Sequence, residues 1–281
     1  VINADVAKEA VAAPRRRDLV MSRIVDCGAE CGRVDSVSPQ PLWRRLVAEF
    51  LGSAFLATTV IGSGIAAQTL SPGNAGLDLL ENALATAAGL FAIILMFGPI
   101  SGAHFNPVVS FVDAGFGGVT WRDAAAYLPA QIAGCILGAV LANAMFGETA
   151  FQISTKHRAS GPHWLSEVIA TLGLLLVIFA LTRSQRSHLA PAAVAAYIGA
   201  AYFFTSSTSF ANPAITIGRM FSNTFAGIAP SSVPNFISAQ VVGGLLGFGL
   251  IRMLYPGMTP DQAANIIVAH HGDSESPRES R

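Results

Sequence analysis

Two Asn-Pro dipeptides stand 106 residues apart, Asn106-Pro107-Val108 in the run SGAHFNPVVSF and Asn212-Pro213-Ala214 in the run SSTSFANPAITIG. An Asn heading a short helix can cap its free backbone N–H groups through the side-chain oxygen, and Pro suits the next position because it has no N–H to leave unpaired. The amide N–H2 then remains as a donor for a passing neutral solute. Each dipeptide follows an apolar stretch with a carboxylate inside it, Glu49 in the first half and Glu167 in the second. A carboxylate in such a setting needs a partner or a function. Neither has an intramembrane Lys, Asp or second Glu beside it with which to form a proton relay.

The elements that must hold these residues are apolar. Hydrophobic residues make up 52% of the 281 and charged residues only 12%, about half the share usual for a soluble domain. Basic and acidic side chains cancel at 17 each, which argues against nucleic-acid binding. Six apolar segments, near 46–69, 79–98, 123–146, 164–182, 189–208 and 235–255, are each close to the ~20 residues that cross a bilayer core. Two more, near 106–116 and 212–223, are too short to cross and begin with the Asn-Pro pairs. At membrane depth such segments must be buried in protein or line a water-filled path. The expected fold class is therefore an all-α membrane protein with six transmembrane helices and two re-entrant half-helices.

The halves also match each other. Each runs from a Glu-bearing span through an Asn-Pro loop to a span opening on Gln, at Gln131 and at Gln240. Three spans per half is odd, so the second half is expected upside down relative to the first, an inverted repeat over about 42–146 and 164–256 with its site near the midplane. Residues 1–41 read as a disordered cytoplasmic N-terminal tail and 257–281 as a cytoplasmic C-terminal tail around a channel domain at 42–256. Residue 1 is Val, and Met21 is a candidate start. Arg44, Arg45, Arg122, Arg183, Arg186 and Arg252 fall on one side against Lys156 and Arg158 on the other, which places both termini in the cytoplasm of a multi-pass cell-membrane protein.

The paired motifs, each behind a Glu-bearing span, resemble the signature of the major intrinsic proteins, the aquaporin and aquaglyceroporin channels. The resemblance covers about residues 42–256. It implies that Glu49 and Glu167 accept N–H groups of the re-entrant loops, that Asn106, Pro107, Val108, Asn212, Pro213 and Ala214 form the pore midplane, and that the chain assembles as homotetramers with one pore per protomer. His104 and Phe105 are expected in the cytoplasmic pore wall. The constriction of that family can be counted from the motifs: Thr86, Ala200, Ser209 and Ile215. Water channels usually have an aromatic at the first of these, His at the second and Arg at the last. The resemblance thus predicts a wide ring free of arginine, with Arg219, four residues after Ile215 on the same helical face, as a candidate displaced cation at the outer mouth.

A Thr in the second span, an arginine-free ring and the continuation NPAITIGRMFS resemble the bacterial branch of the family associated with arsenic resistance. The expected partners are small neutral solutes, with water, glycerol, arsenite and methylated arsenicals as candidates, together with the lipid bilayer. No catalytic residue, cofactor or metal site is expected, since HExxH, GxSxG and any His/Asp/Ser cluster are missing from the sequence. A coupled secondary transporter also uses inverted repeats and broken helices, but its midplane ion ligands would have to be Glu49 and Glu167. Cys135 reads as packing; Cys27 and Cys31 read as a chance pair in the tail.

Overall fold

The computed structural model describes residues 40–256; Cys27, Cys31, Met21, the expected N-terminal tail up to residue 39 and the expected C-terminal tail lie outside the described residues. Among the described residues eight α-helices follow in order: α1 (Leu42–Leu70), α2 (Ala75–Ser101), α3 (Pro107–Phe116), α4 (Trp121–Met145), α5 (Gly161–Arg183), α6 (Ala190–Phe204), α7 (Pro213–Gly218) and α8 (Val233–Leu254). Five of them, α1, α2, α4, α5 and α8, are long and apolar enough to cross a membrane, and α6 becomes so with the short turn Ser187–Leu189 before it. The fold is that of six membrane-length helices and two half-helices. Helix α6 ends at Phe204, four residues before the expected limit, because the backbone turns extended at Thr205, with φ −114° and ψ 137°.

Helix ends are set by local chemistry. Thr120 and Ser160 accept from the backbone N–H of Asp123 and His163 to start α4 and α5, and Gly102 and Gly117, at φ 85° and 87°, stop α2 and α3. The long helices pair within each half. A Cβ on Gly134 of α4 would lie 2.2 Å from the Phe50 carbonyl oxygen of α1, and one on Gly243 of α8 would lie 2.5 Å from the Val168 carbonyl oxygen of α5. Only glycine permits either approach. These contacts are equivalent under the repeat, since Phe50 and Val168 each follow the Glu of their span. Two such tightly joined pairs, α1 with α4 and α5 with α8, hold α3 and α7 between them.

Candidate functional site

Glu49 and Glu167 are fully buried, and each is the hub of one loop. The Glu49 carboxylate accepts from Ser101 Oγ at 2.6 Å, the His104 N–H at 3.0 Å, the Phe105 N–H at 2.7 Å and Gln131 Nε2 at 2.8 Å. Glu167 repeats the pattern with Ser207 Oγ at 2.6 Å, the Phe210 N–H at 2.9 Å, the Ala211 N–H at 2.8 Å and Gln240 Nε2 at 2.6 Å. Both loops need this support. Ala103 and Phe105 in one, Ser209 and Ala211 in the other, take φ near +50°, a conformation that costs about 1–3 kcal/mol per residue without glycine. A buried carboxylate receiving four donors offsets that strain, and the donors in turn stabilise its charge.

The loops deliver the two motifs head to head. Asn106 Oδ1 accepts from the Val108 N–H at 3.0 Å, and Asn212 Oδ1 from the Ala214 N–H at 2.9 Å and the Ile215 N–H at 3.3 Å, so each Asn caps its own half-helix. Each Nδ2 then crosses to the other loop. Asn106 donates to the Ala211 carbonyl and Asn212 to the Phe105 carbonyl, both at 2.7 Å. An amide nitrogen has two hydrogens, and one of each pair stays available. Both Asn side chains line a narrow lumen of about 60 Å³. Pro107, Val108, Pro213 and Ala214 are buried behind them and do not line it.

The lumen has an apolar wall and a polar one. Leu56 and Val60 of α1, seven and eleven residues after Glu49, line it with their repeat equivalents Leu174 and Ile178 of α5, seven and eleven after Glu167. Leu90 and Ile94 of α2, with Val194 and Ile198 of α6, complete the apolar side. His104 and Phe105 also line the lumen. The His104 ring is held by Ser110 Oγ at 3.0 Å from Nδ1 and by the Asp113 carboxylate at 3.4 Å from Nε2.

Thr86, Ser209, Ile215 and Arg219 line the lumen together. Ala200 does not: it is exposed on the outward side of α6. The lumen-facing residues of α6 are Val194, Ile198 and Tyr202, spaced by four, and Ala200 lies about 200° round the helix from Tyr202. Counting back from Asn212 passes through residues 205–211, which are not helical and whose length no helical period governs. Tyr202 is 2% exposed and its hydroxyl meets Thr86 Oγ1 at 3.1 Å. This end of the lumen therefore carries the Tyr202 phenol, which the sequence reading does not name, beside the Arg219 guanidinium, which it names as a candidate displaced cation.

Arg219 is 2% exposed, donates from Nε to the Ala226 carbonyl, and lies with its guanidinium carbon 3.4 Å from the centre of the Phe210 ring. Two further cations surround it. Arg158 donates from Nε to the Gly227 carbonyl at 3.0 Å, and Lys156 from Nζ to the Phe225 carbonyl at 2.8 Å. Burial, then the charges of Arg158 and Arg219, push the Lys156 ammonium down to about 8. Asp113 and Arg158 escape a reading by motif, although the repeat offers one signal: Asp113 stands seven residues after Asn106, as Arg219 stands seven after Asn212. No carboxylate lines the lumen among the described residues.

Comparison with known proteins agrees with this architecture. The family model described as major intrinsic protein matches residues 36–211. The chain is 46% identical over 219 residues to aquaglyceroporin AqpS of Rhizobium meliloti, covering 78% of this chain and 93% of that one. It is 30% identical over 270 residues to the glycerol uptake facilitator protein of Pseudomonas aeruginosa, covering 82% and 95%. Among solved structures, the aquaglyceroporin from Plasmodium falciparum superposes with a TM-score of 0.59 at 20% identity, over 79% of this chain and 99% of that one, a likeness of fold.

Proposed function

This chain belongs to the major intrinsic protein family, and from that footing we propose that it is a passive membrane channel for small uncharged solutes of about glycerol size, metalloid acids such as arsenite and methylated arsenicals included. The observation that carries the reading is the two-sided lumen. One wall is a row of Leu, Ile and Val side chains, and the other presents the Asn106 and Asn212 amides. A solute with hydroxyls on one edge and a bare back on the other matches both walls, and gains hydrogen bonds there for those it leaves in water.

The half-helices meet by their N-termini, where partial positive charge disfavours cations and protons, and Arg219 adds a full charge of the same sign farther out. Val108 then serves as packing beside the Asn donors, while Thr86, Tyr202, Ser209, Ile215 and Arg219 set the outer ring. The Ser209 hydroxyl, without a hydrogen-bond partner among the described residues, is a ready contact for solute. Assembly as a homotetramer in the cell membrane with cytoplasmic termini belongs to the same reading.

A second reading rests on Tyr202 and Arg219. An aromatic ring and a guanidinium at the outer lumen narrow it and favour water over polyols. Stopped-flow measurements on proteoliposomes with water, glycerol, urea and arsenite separate the two. Glycerol and arsenite flux that follows the solute gradient supports the first; water flux alone supports the second. Uptake that requires a proton or sodium gradient overturns both in favour of a coupled transporter.

A further inference from the structure

The repeat breaks down on the flanks of the half-helices. In the second half α7 lies close against α4, where a Cβ on Gly218 would stand 2.7 Å from Cys135 Cβ. Beside the first half-helix, α3, the residue at the repeat position of Cys135 is Gly244 of α8, four residues beyond Gln240 as Cys135 is four beyond Gln131. Its place holds no side chain, and a Cβ built there would lie 2.6 Å from Val108 Cγ1. Around this point a groove of about 530 Å³ opens between α3 and α8, walled by Val108, Phe111, Val112, Trp121, Leu245 and Phe248. Phe111, Trp121 and Leu245 are exposed, so the groove opens outward, toward the hydrocarbon around a six-span bundle.

One end of this apolar groove is cationic. Trp121 begins α4 and is followed by the exposed Arg122. Arg252, in the last turn of α8, is also exposed and holds its guanidinium carbon 5.6 Å from the centre of the Phe248 ring. Trp and Arg at a helix end mark the membrane–water interface, and arginines there attract anionic headgroups. We propose that the groove binds one anionic glycerophospholipid, with an acyl chain against Val108 and Val112 and the phosphate at Arg122 and Arg252. The lipid would touch the back of the half-helix whose capping residue, Asn106, lines the lumen, so its occupancy steadies the pore motif from outside. The site does not depend on which solute passes.

The test uses the full chain purified in detergent, with native mass spectrometry reading retained lipid and thermal unfolding reading stabilisation. Dioleoyl phosphatidylglycerol is expected to stay bound at one per protomer, about tenfold more tightly than dioleoyl phosphatidylcholine, and to raise Tm where phosphatidylcholine does not. Arg122→Gln combined with Arg252→Gln, both at exposed positions, removes the preference without lowering Tm in lipid-free detergent. Leu245→Trp, filling the groove from its exposed rim, releases both lipids. Glycerol 3-phosphate, a headgroup without acyl chains, gives no shift. Equal retention of the two lipids, a preference that survives both variants, or an equal shift with glycerol 3-phosphate overturns the proposal. So do disulfide-linked dimers formed by Leu245→Cys and not by the parent, because a second copy would then cover the groove.

Discussion

The hydroxyls of Thr86 and Tyr202 lie 3.1 Å apart on the outer lumen, joining α2 of the first half to α6 of the second. The pair makes Tyr202 a determinant of pore width. Tyr202→Ala removes a buried phenol and is expected to raise glycerol flux relative to water several-fold. Tyr202→Phe keeps the ring and forgoes one neutral hydrogen bond, worth about 1 kcal/mol, so the flux ratio should change far less. Ala200→Leu is the control, since its side chain projects outward and should leave both fluxes as they are. Should Ala200→Leu close the pore while Tyr202→Ala changes nothing, the lumen-facing side of α6 is misassigned.

The carboxylate hubs predict a loss of protein before a change of selectivity. Glu49→Gln and Glu167→Gln each replace a charged acceptor of four bonds by an amide that also brings two donors into a site already filled with donors. A cost of about 2–5 kcal/mol is expected for either. Abundance in the membrane and Tm in detergent should fall, while the protein that does fold keeps the parent's ratio of glycerol to water flux. A variant of normal abundance whose flux has lost its pH dependence would instead mark a transporter.

How much of this was legible in the sequence depends on what each residue's position follows from. The Asn-Pro pairs, the two Glu and the six spans were readable because each is fixed by a rule that acts locally: capping, burial of charge, and the length of a membrane crossing. Thr86, counted from Asn106 across the short loop 102–105, lines the lumen. The count from Asn212 to Ala200 fails because it crosses seven non-helical residues, 205–211, against four, 102–105, on the way from Asn106 to Thr86. The period of α6 itself, with Val194, Ile198 and Tyr202 on one face, would have selected the tyrosine. Arg158 could not be found at all, since its role comes from a loop folding back onto the Gly227 carbonyl 69 residues away.

Lys156 gives a pH dependence whose sign is fixed. Its ammonium titrates near 8 in the folded protein because burial and two neighbouring arginines oppose the charge, against 10.5 when unperturbed. Below pH 8 it is charged in both states, and the full penalty of holding that charge bears on the fold. Between about pH 8 and 10.5 the unfolded chain binds the proton and the folded chain does not, so stability rises with pH across that window. Tm measured from pH 7.5 to 10 should climb for the parent, and the climb should be absent in Lys156→Met. An identical slope in the variant would mean that the Phe225 carbonyl and solvent already compensate the charge.

Arg219 and Ile215 share one face of the second half-helix and its following turn, and either position can bring a guanidinium to the outer lumen. If the cation acts on solute, Arg219→Ala should admit small cations that the parent excludes, with glycerol flux maintained or raised. Restoring a guanidinium one turn earlier, as Ile215→Arg in the same chain, should recover the exclusion. The order of the two substitutions carries the argument. Arg219→Ala also frees the Ala226 carbonyl, which Nε now holds, and a loosened outer loop could leak by itself. Ile215→Arg cannot be counted on to restore that loop bond, because its side chain leaves the helix a full turn nearer the midplane. Recovery of exclusion without recovery of Tm therefore assigns the barrier to charge. Recovery of neither reduces Arg219 to an anchor for the loop. Ile215→Arg alone, with Arg219 in place, puts two like charges into a lumen of about 60 Å³, and glycerol flux should fall sharply while cation exclusion holds.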